Sequence, residues 1–114
     1  MHKFYYELAK YCNEKDRLIL NIRSYKGSID LIEEQLLNFS NSSLADHRFN
    51  LRSQYTNDVN RFINDLKKND DIIKIHLSRE PVQVTEKSKE ELNRMNCVLK
   101  RAKEKIPLDA LMYY

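Results

Sequence analysis

At 114 residues, 41% hydrophobic and 32% charged, the chain is long enough for one domain with a thin core. One glycine and two prolines leave few chain breaks, which disfavours sandwiches, barrels and glycine-rich phosphate loops. The net charge of +3 permits contact with nucleic acid or a membrane surface without requiring it.

The first forty residues carry the clearest pattern. Phe4, Leu8, Tyr11, Lys15, Leu18, Ile22, Tyr25, Ile29, Ile32, Leu36 and Phe39 are spaced alternately by four and three. This is a heptad seam, the mark of a long helix lying against another helix. It predicts helix A over about 3–38, continuous through Gly27, because the seam is unbroken on both sides of that residue. Lys15 is the one charge in the seam, and its ammonium is expected to snorkel outward. Tyr5, Cys12 and Ile19 add an apolar row beside the seam in the first half only. The N-terminal half of helix A can therefore touch two neighbours.

Asn38 to Ser43 reads as a turn, since Ser and Asn side chains bond nearby backbone in non-helical shapes. Ser43 is a good N-cap, with Asp46 in the first turn. Helix B then runs over about 44–78, on Leu44, Leu51, Tyr55, Val59, Phe62, Leu66, Ile73 and Leu77. Pro81 ends it. The β-branched stretch at 72–84 has an alternative reading as a short β-hairpin. Helix C follows over about 86–106, with Thr85 or Ser88 as cap and a seam of Leu92, Met95, Leu99, Ala102 and Ile106. It is about half as long as the others, so it should cover only the end that holds the N-terminus. Pro107 stops it, and an apolar tail fills 107–114.

The expected fold is all-α, a single helical domain over 1–114. It is a long, coiled-coil-like antiparallel hairpin thickened at its base by a shorter third helix. No apolar run approaches the ~20 residues of a membrane span. Glu7 and Lys10 interrupt any apolar leader, so a cytoplasmic location is the expectation. Cys12 and Cys97 do not make a disulfide framework.

Little in the sequence points to chemistry. His2, His47 and His76 are far apart and sit near no cysteine pair, so neither metal nor any other cofactor is expected. Asp58, Asp65 and Lys67 have the residue types of a nuclease site, but they fall on one helix and read as a solvated face. Gly27 is the only glycine, which leaves no P-loop or dinucleotide fingerprint. The expectation is a non-enzymatic protein-interaction module. Long hairpins of this kind include adaptors, small chaperones and stalk subunits of larger assemblies such as secretion-type machines, an analogy at the level of fold alone.

Three sets of residues are candidates for partner contact. The tail offers Leu108, Leu111, Met112, Tyr113 and Tyr114, apolar groups that something must cover. They either fold back on helix C or enter a partner's groove. The hairpin tip offers Leu31, Leu37, Phe39, Leu44 and Phe49. The partner is another protein, or a second copy in a homodimer. The alternative is a nucleic-acid-binding protein that meets phosphates with Lys100, Arg101, Lys103 and Lys105.

Overall fold

The computed structural model describes residues 3–38, 44–81 and 88–111. Four helices follow one another: α1 (Lys3–Asn38), α2 (Ala45–Leu77), α3 (Lys89–Lys103) and the single turn α4 (Leu108–Leu111). α1 and α2 form the long hairpin, and α3 and α4 both lie against α1. The principal extents are 69 × 23 × 20 Å. An all-α hairpin thickened at one end is the architecture that the heptad spacing predicts.

α1 is uninterrupted at Gly27, which is exposed and has no positive φ. Its seam buries Phe4, Leu8, Leu18, Ile22, Ile29, Ile32 and Leu36, and the extra row buries Tyr5 and Cys12. Three apolar clusters follow one another along the hairpin. At the base, Phe4, Tyr5, Leu8 and Cys12 meet Ile73 of α2 and Met95, Val98 and Ala102 of α3. In the middle, Leu18, Ile22 and Ile29 meet Val59, Ile63, Leu66 and Leu111. Toward the tip, Ile32, Leu36 and Ala45 are buried together among the described residues. The apolar stripe is wide where three helices meet and narrow where two do.

The alternative β-hairpin is corrected over 72–77, which is the last part of α2. Residues 82–84 of that reading lie outside the described residues. Ile73 is fully buried at helical spacing from Leu66, and this packing outweighs the β-propensity of the isoleucines. Ile72 and Ile75 remain exposed. The Ser43 cap also lies outside the described residues; Leu44 occupies the N-cap position of α2 and makes no side-chain cap bond.

Ser88 caps α3, its hydroxyl accepting from the Glu91 amide at 3.2 Å. Glu90 and Glu91 in the first turn, and Lys100, Arg101 and Lys103 in the last, complement the helix dipole. The helix is shorter than its seam suggests. It stops at Lys103, and Glu104 is extended. Pro107 disfavours the α conformation at Ile106. Breaking the helix early lets Ile106 and Leu108 pack on the middle cluster. The seam shifts as well: Val98 is buried, Leu99 is half-buried and Leu92 is exposed.

Four polar side chains tie the helices together through main-chain carbonyls. Asn69 Nδ2 donates to Tyr11 O at 3.0 Å, and His76 Nε2 lies 2.9 Å from Phe4 O with its ring stacked on Phe4. Lys15 Nζ donates to Arg101 O at 2.6 Å. Lys26 Nζ donates to Ala110 O at 2.8 Å and Leu111 O at 3.1 Å. Lys15 therefore does not snorkel into water: it is 4% exposed and caps the last turn of α3.

Candidate functional site

The tip of the hairpin leaves large apolar groups uncovered. Near the end of α1, Leu36 turns into the core beside Ala45, and Leu37, its neighbour, turns out. Leu37 is 84% exposed, more than any other large apolar side chain among the described residues. On α2, Phe49 is 48% exposed. Leu36, Leu37 and Phe49 line one shallow groove of about 380 Å³ with Glu33 and Arg52. Arg52 Nη2 and Glu33 Oε1 pair across the two helices at 3.0 Å and form its polar edge. A second groove of about 340 Å³ is lined by Phe49, Arg52, Ser53, Thr56 and Asn57. Phe49 and Arg52 thus form a ridge between an apolar groove and a polar one.

Of the tip residues expected from sequence, the structure brings Leu37 and Phe49 together. Leu31 and Leu44 are exposed, at 56% and 54%, but line neither groove. Phe39 lies outside the described residues. Heptad phase could have separated these leucines: Leu31 and Leu37 are six residues apart, on different faces of a helix.

The tail has a different place. Leu111 is 2% exposed within the middle cluster, and Leu108 is half-buried against it. The chain folds back, but onto α1 and α2 rather than onto α3, because the extended step at 104–107 carries it past the end of α3. Met112, Tyr113 and Tyr114 lie outside the described residues.

The four cations expected to meet phosphates, three in the last turn of α3 and Lys105 beyond it, are not equivalent. Lys100, Lys103 and Lys105 are exposed. Arg101 is committed to α1, donating to Asn13 Oδ1 at 3.0 Å and Asp16 Oδ2 at 2.9 Å. Lys103 and Lys105 share a groove of about 400 Å³ with Asp70, Lys74 and Glu104, so its walls carry both signs of charge.

Cys12 is buried, and burial pushes its thiol above the usual range, which keeps it protonated. Cys97 is free and exposed. Among the described residues, no group of three or more His, Cys, Asp or Glu is placed to hold a metal ion, and no helix is long and apolar enough to cross a membrane. Comparison with protein-family models, curated proteins and solved structures gives no match.

Proposed function

We propose that this chain is a non-enzymatic protein-interaction module that receives an apolar segment of a partner at the hairpin tip. The observation that carries this reading is the pairing of Leu37 with Phe49 on two different helices, both exposed, beside one groove. Exposed apolar groups gathered at a groove favour binding, because a partner's side chain removes them from water. The groove is short and open, which suits one or two anchors of an amphipathic helix. The Arg52–Glu33 pair at its edge offers both a donor and an acceptor to the flanking polar residues.

Selection from a displayed library of amphipathic helical peptides tests this. The expected result is enrichment of peptides with apolar anchors one turn apart, whose binding persists as salt rises and is lost on Leu37→Asp. Peptides that bind native chain and Leu37→Asp alike would place the docking elsewhere. The nucleic-acid reading rests on Lys100, Lys103 and Lys105 alone, since Arg101 is held by Asp16. It gains support only if the chain binds DNA or RNA with an affinity that falls steeply with salt.

A further inference from the structure

The outer face of α1, turned away from α2, is exposed along its whole length, and it carries an ordered sequence. At alternating spacings of three and four it reads Arg17, Leu20, Ser24, Gly27, Leu31 and Glu34. All six are exposed; Leu20 stands at 65% and Leu31 at 56%. The order is symmetric about its centre. Two small residues lie in the middle, a leucine stands on each side, and the ends carry opposite charges.

We propose that two copies of the chain associate antiparallel along this face of α1, about a two-fold axis level with the Tyr25–Lys26 peptide. That axis places Leu20 opposite the partner's Leu31, Ser24 opposite the partner's Gly27, and Arg17 opposite the partner's Glu34. Each contact occurs twice, as a closed two-fold interface requires. Ser24 and Gly27 leave no bulk at the crossing, so the two helices can approach to about 8 Å. Among the described residues, a Cβ added at Gly27 meets nothing within 4 Å.

Charge decides both the occupant and its direction. A parallel pair would set Arg17 against Arg17 and Glu34 against Glu34. The antiparallel pair sets opposite charges together at both ends. Arg17 already bonds Glu14 of its own helix, and its guanidinium has donors for a second carboxylate. The third helix does not obstruct the arrangement. α3 packs at the base of α1, near Asn13 and Asp16, so the two thick ends point away from one another.

The surface is distinct from the tip groove, and the inference does not depend on the tip reading. Two leucines per copy make a small anchor set, so the dimer should dissociate on dilution. Sedimentation equilibrium across about three decades around the micromolar range is the test. Native chain should rise from 13.7 kDa toward twice that mass with concentration. Arg17→Glu, Glu34→Arg and Gly27→Arg should each stay monomeric with unchanged helix content by circular dichroism. The double exchange R17E/E34R should regain the dimer, because it restores opposite charges in the same register. Leu37→Asp should leave dimerisation unaltered. A native chain that stays monomeric throughout overturns the proposal. So does a dimer that survives all three single variants, or a double exchange that fails to recover it.

Discussion

Asn69, which is buried, donates through Nδ2 to the main-chain oxygen of Tyr11 at 3.0 Å. One heptad nearer the base, seven residues later on α2 and seven earlier on α1, His76 meets the oxygen of Phe4. The residue numbers in the two bonds have the same sum, as an antiparallel register demands. Leucines and isoleucines alone would allow α2 to slide by a heptad against α1. A slide would leave Asn69 buried without its acceptor, and a buried polar group without a partner is costly. Asn69→Ala removes the bond and leaves space, so it should lower stability by about 1–2 kcal/mol. Urea unfolding followed by circular dichroism measures this.

Lys15 gives a sharper reversal. Read from the seam, an apolar replacement should stabilise the fold or shift its oligomeric state. In the fold its ammonium donates to the Arg101 carbonyl at 2.6 Å, much closer than the Glu104 amide that shares this oxygen at 3.4 Å. Lys15→Leu should therefore destabilise by about 1–3 kcal/mol. Hydrogen exchange should quicken first in α3. A variant as stable as the parent would mean that water replaces the ammonium at that carbonyl without loss.

Leu111 is anchored among Leu18, Ile22 and Val59. Leu111→Ala should cost about 2–4 kcal/mol, as for other buried leucines. Deleting residues 108–114 should lower the melting temperature further, because it also removes the oxygens that accept from Lys26. An unchanged melting temperature would show that the docked tail adds nothing to stability.

Gly27 lies in mid-helix without a conformational reason for glycine. Its φ is not positive, and a methyl group there would touch nothing among the described residues. Gly27→Ala should raise stability by about 1 kcal/mol, through the lower backbone entropy of the unfolded chain. The shift in urea midpoint, read at a concentration low enough to keep the chain monomeric, is the measurement.

Much of the fold is legible because hairpin packing is periodic. The spacing of Leu8, Leu18, Ile22 and Ile29 states that a helix lies there and which face it buries. The added row of Tyr5 and Cys12 states that a third element covers one end. Those are local regularities, and a linear pattern carries them. The tip was legible only in part. Leu37 and Phe49 are recognisable as surplus apolar residues, but whether they meet depends on how two helices end beside a turn.

What the sequence alone determined was the helices, their order and the wide base, since each follows from spacing along one strand of chain. The tertiary structure decided the role of every polar group in the core. Lys15, Lys26, Asn69 and His76 each act on a carbonyl between 58 and 86 residues away, and no local pattern encodes such a distance. It also decided the path of the tail. Leu111 is apolar wherever it sits, and only the extended step after Lys103 sends it to Leu18 rather than back along α3.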